Sequence, residues 1–480
     1  MTQTSKELTT EDISQSQAKS ELIYGLNDKP PVGEAMFVAL QHVLAAFVGI
    51  ITPPLIIANG LGLNPVDTSY IISMSLFASG VCSFIQCRKF GPVGSGLLSL
   101  QGTSFAFLGP ILGVGTFALQ GGRSPQEALA LIFGVCFFGS AIEIILSRFL
   151  HLMSRIITPV VSGTVVMIIG LGLIKTGIIS LAGGAVALAR NDGSFGSVQN
   201  LALGGGVLIL VVALTMSRNR FLRMGAIAIS LIIGYVVASF MGMVNFSALR
   251  SLPLVQVPIP FRYGMSFDFG AFLPFILLYV LTAIETVGDL TATSAVSGEP
   301  VSGSVYVRRI KGGVLGDGVN SAIASILNTF PNTTFSQNNG VIQMTGVGSR
   351  YVGYFVAGIF VLLGLLPIVG GVFQALPQPV LGGATTVMFG SIAVAGLRIV
   401  SSVDLDRRAS IIIAVSLAMG LGVLYGPEIF ADKPPIIKNL FGSSISTGGL
   451  TAILLSWLLP DMKSSKPDES KSELEVEAEV

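Results

Sequence analysis

Apolar residues fill this chain in runs of about 20, separated by short polar, glycine or proline breaks, which is the spacing of helices that cross a bilayer. The breaks define fourteen segments, near 36–58, 68–87, 95–119, 126–147, 157–178, 200–216, 222–244, 268–296, 310–330, 334–347, 352–373, 378–399, 409–425 and 446–461. The third and tenth stand apart from the rest. One opens GSGLLSLQGTSFAFLGP and the other FPNTTFSQNNGVIQMTG, so each begins on a polar, glycine-containing stretch and only then turns apolar. Non-helical backbone at membrane depth is tolerated only where protein buries it or a cavity wets it. Two broken segments facing each other would present half-helix N-termini and free amides to one small polar ligand.

Basic residues test the count. Connections after even-numbered segments carry fourteen Lys or Arg, among them Lys89, Arg148, Arg308 and Lys311, against seven after odd-numbered ones. By the positive-inside rule both termini then face the cytoplasm, and dropping either broken segment would scramble the alternation. An internal match also emerges: PVVSGTVVMIIG at 159–170 and PVLGGATTVMFG at 379–390 align Pro159 with Pro379, Gly163 with Gly383 and Gly170 with Gly390. These are the fifth and twelfth segments, an odd separation, so the copies run in opposite directions, as in inverted-repeat transporters.

Composition agrees: 51% of residues are hydrophobic and 11% charged, with a mean hydropathy of +0.78, which excludes a soluble domain. The expectation is an all-α integral membrane protein, one membrane domain over 36–462, between polar cytoplasmic tails at 1–35 and 463–480, the second read as disordered. The N-terminal stretch has no apolar core and predicts no cleaved signal peptide. A net charge of +1 gives nucleic acid no purchase. Cys82, Cys87 and Cys136 lack ligand spacing and read as small core residues, so no metal is expected.

Intramembrane ionisable residues are costly and therefore informative. Glu285 and Asp289, at i and i+4 in YVLTAIETVGDLTAT, share a helix face, and two carboxylates that close resist ionising together. Such a pair can hold a proton beside a ligand; the bland alternative is an ion pair between Glu285 and the helix bearing Lys311. Asp317, among glycines, suits either proton work or a helix-packing hydrogen bond. His42 reads first as a structural hydrogen-bonding group, and His151 as surface. Glu143 and Lys175, near segment ends, read as snorkelling side chains. Gln337 and Asn338 offer amide donors and acceptors without charge, a match for the N–H and C=O edge of a planar heterocycle, with Glu285 accepting from a ring N–H. Phe105 and Phe335 are placed to stack on its face.

QNNGVIQMTG, Gln337 to Gly346, is similar to the signature of the nucleobase-ascorbate transporter family, and QHVLAAFVGIITPPLI, AIETVGDLTATSAVS, KGGVLGDGVNSAIAS and YGPEIF extend the resemblance over nearly the whole membrane region. Within the family the chain most resembles bacterial xanthine permeases. The resemblance implies seven-plus-seven inverted repeats, a core domain (36–147 and 268–373) and a gate domain (157–244 and 378–461), short antiparallel strands in the third and tenth segments, and a homodimer in the cytoplasmic membrane. It assigns purine binding to Glu285 and Gln337, with backbone around Phe105 and Ser336 helping. Asn338 would support the site, His42 and Asp317 tune it, and Asp289 assist coupling. It further implies proton symport of xanthine, with no cofactor other than the coupling proton. Ser104 stands where some xanthine-preferring relatives carry a bulkier Asn, which brings in uric acid as a second substrate. Rival readings are a transporter of another nucleobase, an anion transporter, or a channel. An intramembrane enzyme would need a nucleophile with its base or a metal cluster, which the two distant histidines do not supply.

Overall fold

The computed structural model describes residues 22–150, 158–190, 192–244, 252–430 and 441–460, with 432, 433 and 437. The tails 1–21 and 461–480, and with them the expected C-terminal disorder, lie outside the described residues, as do His151, Arg155, Arg250 and Lys438.

In chain order the described α-helices of eight or more residues are α1 (Val32–Gly60), α2 (Pro65–Arg88), α3 (Leu108–Gln120), α4 (Pro125–Phe149), α5 (Pro159–Leu181), α6 (Val198–Thr215) and α7 (Ala226–Phe240). They continue as α8 (Phe269–Val296), α9 (Gly303–Ile326), α10 (Gln337–Thr345), α11 (Arg350–Gly364), α12 (Pro367–Gln374), α13 (Gln378–Val400), α14 (Arg407–Tyr425) and α15 (Ser444–Leu458). Two strands, β1 (Gln101–Thr103) and β2 (Asn332–Thr334), form the one sheet among the described residues. Among the described residues eight helices are long and apolar enough to cross a membrane, and α11 with α12, bent by 73°, makes a ninth if the bent pair is one span. The protein is therefore a mostly helical, multi-pass membrane protein.

Local chemistry sets the boundaries. Asn64, Thr158, Ser197, Asp268, Ser349 and Asp406 each accept a hydrogen bond from a backbone N–H in the first turn of the helix that follows, satisfying a donor the helix itself leaves orphaned. Ser124 and Glu127 close a reciprocal capping box on α4. The eleventh segment, expected as one helix, breaks between α11 and α12 because Pro367, at the start of α12, has no N–H to continue the ladder.

The matched segments of the repeat, α5 and α13, pack together closely. A Cβ on Gly163 would lie 2.7 Å from the Gly396 carbonyl oxygen, and one on Gly170 would lie 2.3 Å from the Ala393 nitrogen. Small residues let the two backbones meet, the usual source of helix affinity where lipid removes the hydrophobic driving force.

Two features at the ends of elements go beyond the hydropathy pattern. The last part of the polar N-terminal stretch is anchored. Ile23 N–H donates to Gly346 O at 2.7 Å, Gly348 N–H to Tyr24 O at 2.9 Å, and the Ser349 hydroxyl to Asp28 O at 2.5 Å, so extended backbone pairing ties residues 23–28 to the start of α11. The first segment also starts earlier than its apolar run, at Val32, because Pro31 precedes and the polar Glu34 still fits the first turn. On the opposite face, the loop before α8 is clipped by Asp67, which accepts from the Tyr263 hydroxyl at 2.7 Å and pairs with Arg262 at 3.6 Å. Arg262 in turn lies 4.1 Å from the Tyr70 ring centroid.

Candidate functional site

The two broken segments meet. β1 and β2 pair antiparallel with Gln101 opposite Thr334, Gly102 opposite Thr333 and Thr103 opposite Asn332. Ser104 N–H donating to Pro331 O at 2.8 Å and Phe335 N–H donating to Leu100 O at 3.0 Å extend the ladder on either side. Each strand leads directly into a short helix: a single 3-10 turn at Phe105–Phe107 and then α3 in one case, α10 in the other. Ser104 and Ser336 occupy the N-cap positions, yet neither side chain caps its helix. At other helix starts Ser124, Ser197 and Ser349 cap, while Ser302 and Ser443 do not. In α10 the Asn338 and Asn339 N–H groups bond back to Phe335 O and Ser336 O, so the Gln337 amide, with the amides that follow Ser104, faces outward as a receptor for acceptor groups of a ligand.

Gly102 is required at the strand pairing because a Cβ there would stand 2.3 Å from the Phe335 ring, and one on Gly49 of α1 would stand 2.8 Å from the same ring. Phe335 therefore fills a notch between α1 and β1. Phe105 is also buried and meets Phe389 of α13 edge to face, with ring centroids 5.5 Å apart. Of the two phenylalanines expected to stack on a ligand, Phe335 is committed to packing and Phe105 to a contact with α13.

α8 packs on both β2 and α10. Asp289 accepts from the Thr334 hydroxyl at 3.0 Å, and Thr293, one turn on, donates to the Asn339 side-chain oxygen at 2.8 Å. Glu285, one turn before Asp289, therefore lies on the helix face turned toward the strand pair, and Gln337 follows Thr334 by three residues. Glu285, Ser336 and Gln337 are all half-buried, and the buried Glu285 Oε2 has no hydrogen-bond partner. The buried Ser104 Oγ is likewise unpartnered. Asn338 turns the other way, its amide donating to Leu98 O and lying beside the fully buried His42 ring of α1. Asn338 thus fastens α10 to the segment leading into β1, with His42 behind it.

Asp317 of α9 accepts from the Thr286 hydroxyl at 2.5 Å and is fully buried. It faces Glu143 of α4, and Gln101 of β1 lies beside it. Here the sequence reading needs correction. Glu143 does not snorkel: it is fully buried, and neither carboxyl oxygen has a hydrogen-bond partner. The reason is the close approach of α4 and α9, where a Cβ on Gly318 would lie 2.9 Å from Ile144 N and 3.1 Å from Ser140 O. That approach closes off the route to the surface that a long side chain would need. Ser140, Glu143 and Ser147, spaced three and four apart, mark one small and polar face of α4, the signal by which Glu143 is legible. Lys175, by contrast, is exposed. The supposed ion pair between Glu285 and Lys311 is absent among the described residues, since Lys311 lines a separate cavity with Lys89, Arg148 and Arg308. Four carboxyls, Glu143, Glu285, Asp289 and Asp317, therefore sit within electrostatic reach of one another without a salt bridge to any of them among the described residues.

The comparisons with known proteins agree with this arrangement. Residues 33–429 match the profile described as the Permease family. Xanthine permease XanP of Escherichia coli (strain K12) is 51% identical over 452 residues, 94% of this chain and 97% of the relative. Xanthine permease XanQ of the same strain is 47% identical over 93% of this chain and 95% of its own. Uric acid permease PucJ of Bacillus subtilis (strain 168) is 33% identical over 87% and 91%. Among solved structures, murine Solute Carrier 26 family member A9, an anion transporter in the inward-facing state, aligns with a TM-score of 0.60 at 11% identity over 95% of this chain and 73% of that one. The transmembrane domain of the cyanobacterial bicarbonate transporter BicA aligns with a TM-score of 0.51 at 14% identity, over 90% and 99%. At those identities the likeness is one of fold. Family profile, near full-length relatives and the Gln337–Gly346 signature converge: the chain belongs to the permease family of membrane transporters, the nucleobase-ascorbate (nucleobase–cation symporter-2) family that its signature resembles.

Proposed function

We propose that this protein imports xanthine together with a proton across the bacterial cytoplasmic membrane, with uric acid as a second substrate. The observation that carries the reading is the identity, 51% over 94% of the chain, with a xanthine permease. The site geometry gives it a mechanism. Gln337 presents its side-chain amide to the acceptor and donor edge of the purine, Glu285 accepts from a ring N–H, and the backbone amides of Gln337 and of the turn after Ser104 receive exocyclic oxygens. Desolvated donors and acceptors that match a ligand edge reject analogues lacking the groups, because the protein's own groups are then left unpaired.

Proton coupling follows from the carboxyl cluster. Asp289 and Asp317 each hold one threonine hydroxyl, and Glu143 stands behind Asp317. A proton passed among these groups changes the charge beside Glu285, and so couples purine affinity to protonation. A carboxyl at the binding position suits a ligand that offers ring N–H donors, which a small inorganic anion such as chloride lacks, and this argues against inorganic anion exchange despite the shared fold.

Fourteen spans in two inverted repeats remain the supporting architecture. Three shorter apolar helices, including α7 and α15, together with the polar α9 and the β2–α10 unit, complete the set beside the nine apolar spans. The close match of α5 to α13 supports an offset of seven segments between halves. Core (36–147 and 268–373) and gate (157–244 and 378–461) would then move relative to one another about the Phe105–Phe389 contact, with the protein working as a homodimer in lipid and both termini cytoplasmic.

Uptake of labelled xanthine, with and without a proton uncoupler and against a panel of uric acid, hypoxanthine, guanine and uracil, tests the reading. Uncoupler-sensitive accumulation inhibited by xanthine and uric acid is expected. Accumulation that ignores the uncoupler removes the symport, and preferential inhibition by uracil removes the substrate assignment.

A further inference from the structure

Away from the purine site, a cavity of about 330 Å³ is lined by Lys89, Arg148, Arg308 and Lys311 together with small and apolar groups, and no acidic residue lines it among the described residues. The four cations come from three separate parts of the chain: the residue that ends α2, the last turn of α4, and the first three turns of α9. None of the four forms an ion pair or a side-chain hydrogen bond among the described residues, whereas the adjacent Arg309 pairs with Glu299 at 2.9 Å. Arg148 and Arg308 are exposed, while Lys89 and Lys311 are half-buried, and holding those two unpaired like charges in one concavity is costly unless something negative occupies it.

The wall of this cavity is built rather than incidental. Lys89 has φ +61°, a left-handed conformation that side chains other than glycine rarely adopt. Gln86 holds the loop behind it on both sides: its amide donates to Gly313 O at 2.9 Å, and its side-chain oxygen accepts from Ser95 N–H at 2.9 Å. Gly94 N–H donates to Gly312 O at 2.8 Å, locking the loop on α9. A restrained backbone thus carries Lys89 to the same hollow as Lys311. A solvated surface cation needs no such restraint.

We propose that this cavity binds a phosphate-bearing anion, supplied as an anionic lipid headgroup or as a soluble phosphate compound. Clustered cations between transmembrane helices have the chemistry that holds lipid phosphates, and the volume is that of a small-ligand site. Occupancy would clamp α2, α4 and α9 together. Ser147 and Leu315 at the cavity lie one turn from Glu143 and two residues from Asp317, so the clamp bears on the helices that carry those carboxyls.

Thermal unfolding of the purified full-length protein in neutral detergent tests this, with cardiolipin, phosphatidylcholine or inorganic pyrophosphate added to the wild type and to the double variant Lys89→Gln, Lys311→Gln. The wild type is expected to be stabilised by cardiolipin and not by the zwitterionic lipid. The double variant should require about 25-fold more, at about fivefold per cation removed. Stabilisation by cardiolipin alone assigns the site to a lipid headgroup, and stabilisation by pyrophosphate as well assigns it to phosphate in general. If the double variant does not accumulate, the exposed Arg308→Gln replaces it, with about a fivefold loss expected. No stabilisation by either phosphate probe, or equal responses in wild type and variant, overturns the proposal.

Discussion

Replacing Glu143 separates a structural carboxyl from a working one. Its side chain is fully buried between α4 and α9 with neither oxygen hydrogen-bonded, and leaving a buried polar group unsatisfied costs about 1–3 kcal/mol. A fold selected only for stability would place an apolar residue there. Glu143→Leu, of similar volume, is therefore expected to hold or raise stability, by up to about 1–3 kcal/mol, through removal of that cost. Glu143→Gln should keep the volume and change stability little. Transport should move the opposite way: both variants lose the carboxyl that faces Asp317, and proton-driven xanthine uptake should fall at least tenfold at equal membrane abundance. The assays are thermal unfolding of the purified variants and uptake by intact cells normalised to protein in the membrane. A Leu variant that unfolds at lower temperature yet transports normally per folded molecule would make Glu143 a helix-packing group and refute the reasoning.

Gly102→Ala forces a methyl to within 2.3 Å of the Phe335 ring, which should cost about 1–3 kcal/mol by overpacking and lower the unfolding midpoint, with Phe335→Leu in the same chain restoring part of it. Ser104→Asn adds bulk at a buried position whose hydroxyl is unpartnered, and competition assays should show uric acid losing inhibition more than xanthine does. The Tyr263 phenol, outside the spans, is pushed above the ordinary tyrosine range first by burial and then by the Asp67 carboxylate it bonds. Its contribution to stability is fully present below the unfolded value of about 10 and is lost as pH rises from there toward the folded value. Tyr263→Phe should flatten that alkaline fall in unfolding temperature, and an unchanged profile would detach it from the clip.

Much of this was legible before any coordinates, for physical reasons particular to membranes. Lipid forbids unpaired backbone, so the polar openings before Phe105 and Phe335 had to mark breaks lined by protein or a cavity, while their pairing as strands was implied only by the family resemblance. Scarce charge made Glu285, Asp289 and Asp317 conspicuous for the same reason. What escaped depends on which face of a helix looks where. Glu143 looks like a segment-end residue by position; the Ser140–Glu143–Ser147 spacing hints at a packed polar face, and the approach of Gly318 to Ser140 and Ile144 shows it sealed in. Phe335 has the composition of a stacking ring, but two distant glycines, Gly49 and Gly102, claim it for packing. The pairing of residues 23–28 with the chain around Gly346 is made mostly by backbone groups, with the Ser349 hydroxyl and the Arg350–Asn27 contact added, and backbone pairing leaves no mark in side-chain pattern.

The claim on which the rest stands is that Glu285 of α8 and Gln337 of α10 grip one purine between them. Equilibrium binding of labelled xanthine to the purified wild type, Glu285→Gln and Gln337→Ala measures it without the transport cycle intervening. Loss of a hydrogen bond to a charged group is worth about 1.5–3 kcal/mol and of a neutral one about 0.5–1.5 kcal/mol, so affinity should fall at least tenfold for Glu285→Gln and severalfold for Gln337→Ala, in protein that unfolds as cooperatively as the wild type. Folded variants that bind xanthine with undiminished affinity would contradict it.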